Sequence, residues 1–306
     1  MLSGEKILIT GPAGGIAFGV ARALARENEV WGIARFGDPA QRAEVEALGV
    51  KTRAVDLATC EFGDLPRDFT YLLHIAVAYD PDNYDRAIQV NAEGTGFLMD
   101  HCRRVKAALV MSTLSVYRPH PDPWYAFRET DPLGDIWATF SAPYSVSKIA
   151  EEAVARYCAR SLNIPTTIAR MGSAYWERGG MPAGHLHAIA AGQPVQVRWD
   201  PIPYSPIHNE DIVDQVEALL DAASVPATIV NWAGDEPVSV QQWSAYLGEL
   251  LGVQPTIQVT PVLHASLGSV GDHRKRRAIT GPCKVQWKDG FRRMAQALYP
   301  QQRRER

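Results

Sequence analysis

Short apolar runs alternate with longer stretches of helical period through the first half of the chain. Residues 6–10, Lys-Ile-Leu-Ile-Thr, predict a short buried strand, and a glycine-rich turn separates them from a helix over 17–26. Residues 29–34 predict a second strand. Residues 39–48 predict a helix whose Pro39 suits a first turn, and 51–55 a third strand ending at Asp56. Apolar strands at 70–76 and 107–112 flank a helix over 82–104, and a helix over 143–161 leads into a strand at 165–170. This alternation predicts βαβ units. Right-handed crossovers stack such units into a doubly wound parallel sheet of the Rossmann type, an α/β fold.

After about Met171 the rhythm changes: elements shorten, proline and glycine become frequent, and helices stand out only at 209–222 and 239–251. The pattern predicts a dinucleotide-binding domain over 1–170 and a smaller substrate-binding lobe over 171–306, with chain crossovers between them. Clefts between such lobes are common ligand sites. The basic run His273-Arg274-Lys275-Arg276-Arg277 and the basic tail read as solvated surface.

The chain has 306 residues, 46 % hydrophobic and 21 % charged, which suits a globular enzyme with a substantial core. A net charge of −3 implies no bulk attraction to nucleic acid or acidic membranes. Cys60, Cys102, Cys158 and Cys283 are widely spread, which argues against a disulfide framework or zinc site and for a reducing compartment. The N-terminus shows no signal-peptide pattern, and no apolar run is long enough to span a bilayer, so a cytoplasmic protein is expected. His185 and His187 lack a third ligand at suitable spacing and read as loop histidines; no metal is expected.

Candidate chemistry begins at residues 10–17, Thr-Gly-Pro-Ala-Gly-Gly-Ile-Ala, between the first strand and the first helix. Gly11 and Gly14 permit a tight turn and close approach to a pyrophosphate, and the helix N-terminus adds N–H groups and a positive dipole end. An acid at the end of the second strand selects NAD, whereas a nearby Arg accommodates the extra phosphate of NADP. Here Ala34 and Arg35 stand there, with no carboxylate before Asp38, so NADP is expected, with NAD as the alternative. Tyr144 and Lys148 are four apart at the start of a helix and therefore share a face. An ammonium beside a phenol favours the phenolate, which equips the tyrosine to move a proton near neutral pH.

Together these motifs resemble the extended branch of the short-chain dehydrogenase/reductase superfamily, over nearly the whole chain and in the family's order. Thr10–Ala17 looks like its T-G-x-x-G-x-x-G loop, with Ala17 in place of the last glycine. Asp56 in Val-Asp-Leu, His74-Ile-Ala-Val-Ala78, Asn91-Ala-Glu-Gly-Thr95 and Ser112-Thr-Leu-Ser-Val-Tyr117 match further motifs, and Pro206–Ile212 resembles a helix-entry landmark of the smaller lobe. The resemblance implies cofactor contacts from Gly11, Ala13, Gly14, Gly15, Ile16, Arg35, Asp56, Leu57, Ala76, Asn91, Tyr144 and Lys148. It implies catalysis by Thr113 (Ser115 being the nearest rival), Tyr144 and Lys148, with Lys148 also holding the nicotinamide ribose, and a homodimer through the helices 82–104 and 143–161.

Within that family, 4,6-dehydratases carry an Asp-Glu pair after the catalytic Thr. Leu114 and Ser115 stand there and cannot serve as acid and base. Epimerases usually carry an Asn three residues after the Arg that ends the strand following the Tyr-Lys helix; Ser173 follows Arg170 here, and the Gly-rich, Gln-Arg pattern expected around a sugar nucleotide is missing. The first expectation is therefore an NADP(H)-dependent oxidoreductase interconverting a carbonyl and an alcohol on a small or moderately apolar substrate, its pocket lined by Trp124, Trp137, Tyr175 and Trp176. The alternative is a nucleotide-sugar epimerase or ketoreductase of the same family.

Overall fold

A computed structural model describes residues 2–79, 83–134, 142–177 and 179–300. The chain divides into two compact units. The first comprises Met1–Val116, Thr139–Arg170 and Ile212–Val230; the second comprises Tyr117–Ala138, Met171–Asp211 and Asn231–Arg306.

The first unit is built on a seven-stranded sheet. Its strands are β1 (Lys6–Thr10), β2 (Glu29–Ala34), β3 (Lys51–Ala54), β4 (Tyr71–His74), β5 (Ala107–Thr113), β6 (Thr166–Met171) and β7 (Thr228–Trp232). In space they run β7-β6-β5-β4-β1-β2-β3. The pairs β1–β2, β1–β4, β2–β3 and β4–β5 are parallel, with Leu8 opposite Trp31 on one side and Leu72 on the other. The fold is the expected doubly wound α/β sheet. Central strands covered on both faces explain why Ile7, Leu8 and Ile9 are all fully buried instead of alternating. One face of the sheet closes through Leu8, Leu72, Leu98, Met99, Ala155 and Ile168. The winding reverses between β1 and β4, and the strand ends at such a switch point open a crevice for ligands.

Two elements of this unit depart from the pattern read above. The helix expected over 82–104 is three pieces: α3 (Tyr84–Ile88), a π turn (Gln89–Glu93) and α4 (Gly94–His101). The wider turn re-phases the helix so that Gly94 packs on the Leu57 carbonyl, where a β-carbon would come within 2.6 Å. The strand expected over 70–76 stops at His74, because the next two backbone N–H groups, of Ile75 and Ala76, donate to the Thr10 hydroxyl at 2.9 and 2.8 Å. The remaining helices of this unit are α1 (Gly15–Leu24), α2 (Pro39–Glu46), α5 (Ala142–Ser161) and most of α7 (Asn209–Asp221).

The second unit packs α6 (Met181–Ala190), α8 (Val240–Leu251) and α10 (Trp287–Leu298) around Leu186, Trp243, Leu247, Phe291 and Met294. Helix α8 starts with a capping box between Ser239 and Gln242 and ends at Gly252 in the left-handed conformation. His185 and His187 lie on α6, not in a loop; His185 accepts from Trp243 Nε1 at 3.0 Å and His187 pairs with the Tyr299 hydroxyl at 2.7 Å. The basic run forms α9 (Arg274–Thr280), and it is not wholly solvated. Arg276 is buried, ion-paired with Asp235 and donating to the Gly281 carbonyl at 2.7 Å. Buried guanidinium groups need such partners, and a count of charges along the sequence does not reveal them.

Candidate active site

The glycine loop leaves β1 at Thr10. Gly11 has φ of 65°, and a β-carbon there would lie 3.2 Å from Ala76, so the position demands glycine on both counts. Gly14 donates its N–H to the Gly11 carbonyl at 2.9 Å and caps α1. Ala13, Gly15 and Ile16 are half-buried and Gly14 is exposed, whereas Ala17 is buried, a small residue where the helix meets the sheet. A glycine turn that a β-carbon would crowd, at a helix N-terminus on the switch point, fits the pyrophosphate of a dinucleotide.

The strand ends beside this loop carry opposite charges. Arg35 is exposed after β2, and its field adds to the stabilisation of the Asp56 carboxylate. Asp56 accepts from Ala58 N–H at 2.9 Å and from Arg86 at 2.7 Å; the backbone bond first, then the Arg86 guanidinium, hold its pKa below the ordinary carboxylate value. Leu57 follows, buried under Gly94. Asp38, the next acid after β2, spends its carboxylate capping α2 on Ala40 N–H at 2.9 Å.

A buried hydrogen-bond chain fixes the floor of the site. Thr10 Oγ1 accepts from the Ile75 and Ala76 N–H groups, so its proton is donated to His74 Nδ1 at 2.9 Å. Thr95 Oγ1 donates to the Asn91 carbonyl at 2.6 Å, so it accepts from His74 Nε2–H at 2.7 Å. Every member is satisfied in one direction only, which sets His74 as the neutral Nε2–H tautomer. Burial, helped by the Lys148 ammonium, pushes its pKa down to about 3. Asn91 is likewise committed: its side chain accepts from Ala78 N–H at 2.8 Å and donates to the Ala78 carbonyl at 3.0 Å and to Ser147 Oγ at 2.9 Å. It thereby clamps the segment after Ala76 to the helix that bears Tyr144.

Helix α5 bears Tyr144 and Lys148, the candidates for proton transfer. Tyr144 is half-buried, its ring 5.7 Å from that of exposed Tyr79, and its carbonyl accepts from Ser147 Oγ at 2.9 Å. Lys148, one turn on, is 2 % exposed; its Nζ donates to the Met111 carbonyl of β5 at 2.7 Å and pairs with Glu151. Glu151 is fully buried, and desolvation raises its carboxyl to about 7 against the opposing pull of Lys148. The next residue, Glu152, receives both Arg170 nitrogens at 2.9 and 2.8 Å and the Ser112 hydroxyl at 2.5 Å, which ties α5 to β5 and β6. Thr113 ends β5, buried, with its hydroxyl accepting from Ser115 N–H at 3.2 Å. The carboxylates at 151 and 152 escaped the motif reading; the signal was present as the i, i+3, i+4 spacing from Lys148.

The second unit holds the remaining candidates. Tyr175 is fully buried edge-on against Phe291 and His208, in the core and not on a pocket wall. Trp124 is exposed and Trp176 half-buried, while Trp137 lies outside the described residues. Glu177, His208 and Glu210 form a cluster of the size of a metal site. Arg293 contacts all three, at 3.6, 3.1 and 3.0 Å, so a guanidinium occupies the position a cation would take.

These features define a dinucleotide-dependent oxidoreductase of the α/β class. The family model described as "NAD dependent epimerase/dehydratase family" matches residues 7–231. The chain belongs to that family and is an NAD(P)-dependent enzyme of the extended short-chain dehydrogenase/reductase type. No curated protein matches the sequence. Among solved structures it is similar to the UDP-glucuronic acid 4-epimerase of Bacillus cereus in complex with UDP-glucuronic acid and NAD (20 % identity, 96 % of this chain and 98 % of that one, TM-score 0.83). It is also similar to the UDP-glucose 4-epimerase of Thermotoga maritima with UDP-glucose (19 %, 96 % and 98 %, 0.81). A third, the UDP-glucose 4-epimerase of Thermus thermophilus in complex with NAD, gives 23 %, 95 % and 98 %, and 0.80.

Proposed function

We propose that the chain interconverts a secondary alcohol and its carbonyl on a nucleotide sugar, with epimerisation as the net outcome. The observation that carries this reading is the composition of the β5 end. Thr113 is followed by buried Leu114 and by Ser115, whose N–H is spent on Thr113, so no acid–base pair for water elimination stands there. All proton traffic then passes through Tyr144. Its phenolate takes the proton of the alcohol and later returns it to the carbonyl oxygen, so the cycle balances without a second acid. Thr113 orients the reacting oxygen. Lys148 would hold the nicotinamide ribose. When bound, a nicotinamide dinucleotide would supply the hydride chemistry for both half-reactions. Similarity to nucleotide-sugar epimerases over nearly the full length of both chains supports the substrate class.

A second reading, a net carbonyl reductase drawing on NADPH, is favoured by one observation. Arg35 follows β2 where an acid would bind the ribose hydroxyls of NAD, and Asp38 is already used as a helix cap. NADP is accordingly the dinucleotide we assign. We also infer a homodimer through α4 and α5, supported by exposed Phe97 and Tyr157 on those helices, and a cytoplasmic location, supported by four free cysteines. The test is incubation with a panel of UDP-sugars and simple ketones, following reduced-nicotinamide absorbance beside product analysis. Sugar isomerisation without net cofactor turnover is expected; stoichiometric oxidation of NADPH would replace the first reading with the second.

A further inference from the structure

Glu151 is fully buried, and no step described above uses it. Three residues after Lys148, it lies on the same face of α5. Its carboxylate meets Lys148 Nζ on one oxygen and faces His74 Nε2 at 3.6 Å on the other.

The groups that neighbouring elements present to it add little charge, apart from Glu152, whose carboxylate pushes the Glu151 pKa further up. On α5 itself, Glu152 is neutralised by Arg170 from β6. From β4 comes His74, uncharged, its Nε2–H already donated to Thr95. Thr95 of α4 and Asn91 of the π turn carry no charge. Glu93 and Asp85 are exposed, and Arg86 is paired with Asp56. Apart from the Tyr144 proton of the proposed reaction, the net charge around Lys148 is therefore decided by one proton on Glu151.

We propose that Glu151 is the charge-setting positioning residue of the cofactor site. Ionised, it cancels the Lys148 ammonium and favours the oxidised dinucleotide, whose nicotinamide ring is cationic. Protonated, it leaves the ammonium uncompensated and favours the neutral reduced ring. Burial places this exchange near neutral pH, with the Glu151 carboxyl raised to about 7. Linkage fixes the sign: binding of the oxidised form expels the proton from Glu151, and binding of the reduced form does not. The proposal rests on the reading of Lys148 as the residue that holds the nicotinamide ribose.

The test is a competition between oxidised and reduced dinucleotide, read by reduced-nicotinamide fluorescence from mildly acidic to mildly alkaline pH. In wild type, the preference for the oxidised form rises about tenfold across this range, the size of a one-charge change felt through protein. In Glu151→Gln the ratio stays flat at its acidic value. Calorimetry of the wild-type protein in buffers of different ionisation heat gives a second reading that needs no variant: proton release on binding the oxidised form alone. A flat ratio in wild type, an unchanged pH dependence in Glu151→Gln, or equal proton release by both forms overturns the proposal while leaving the cofactor reading intact. Failure of both forms to bind overturns the two together.

Discussion

The two ends of the proposed dinucleotide site are built on opposite principles. At the proton-transfer end, Lys148, Glu151, Glu152, Arg170 and His74 are all buried, mounted on regular elements and locked by paired charges or a one-way hydrogen-bond chain. At the adenosine end, Arg35 and Asp38 stand exposed in a connection, and Asp56 is only half-covered. The difference follows from what each end must do. Chemistry needs a charge held in a dry, fixed place, where it is weakly screened, whereas recognition of a ribose phosphate needs accessible donors. A change at the first end is therefore expected to cost fold and turnover together, and a change at the second to alter cofactor choice and little else.

Four substitutions sharpen or break this contrast. Tyr144→Phe removes the proton carrier and should lower turnover about a thousandfold, as loss of a general acid–base does, with dinucleotide binding retained in a fluorescence titration. Glu152→Ala strands the Arg170 guanidinium in the interior; urea unfolding should show a loss of about 3–5 kcal/mol, where a surface pair would cost under about 1. Arg35→Ala should weaken NADPH about tenfold, or about 1.4 kcal/mol, and leave NADH unchanged and stability intact. Asp38→Ala removes only an exposed helix cap and should cost about 1 kcal/mol in unfolding experiments.

Titration gives a further contrast. The His74 pKa is depressed to about 3 by burial, against 6.5 for an ordinary histidine. Below that ordinary value the unfolded chain binds a proton that the native state refuses. Stability from this group is thus complete above 6.5 and is lost on acidification, by about 1.4 kcal/mol per pH unit. His74→Gln should remove this contribution in urea unfolding against pH and leave the opposite slope of Glu151, whose raised carboxyl takes up a proton on folding as pH falls from about 7.

The sheet was legible from sequence because buried strands are continuous apolar runs, and Ile7–Ile9 and Leu109–Met111 have no other stable use. The glycine loop and the Tyr144–Lys148 pair were legible because local spacing fixes them. The π turn at Gln89–Glu93 was not, since it keeps a helical pattern of apolar residues while shifting the phase by one position. The buried charges escaped for a different reason. Arg276 and Glu151 look like surface residues in a chain with 21 % charge: the Asp235 partner of Arg276 is distant in sequence, and the i, i+3 spacing of Glu151 from Lys148 does not by itself show that Glu151 is buried facing His74. The same limit applied to His185 and His187, whose partners Trp243 and Tyr299 are distant in sequence.

In the proposed reaction one tyrosine handles every proton, and no elimination pair follows Thr113. The most direct measurement is the mass of the product formed from a UDP-sugar by the wild-type enzyme. An isomer of unchanged mass is expected, absent when Tyr144→Phe is used. A product lighter by one water, or the same isomer formed at an undiminished rate by Tyr144→Phe, would contradict it.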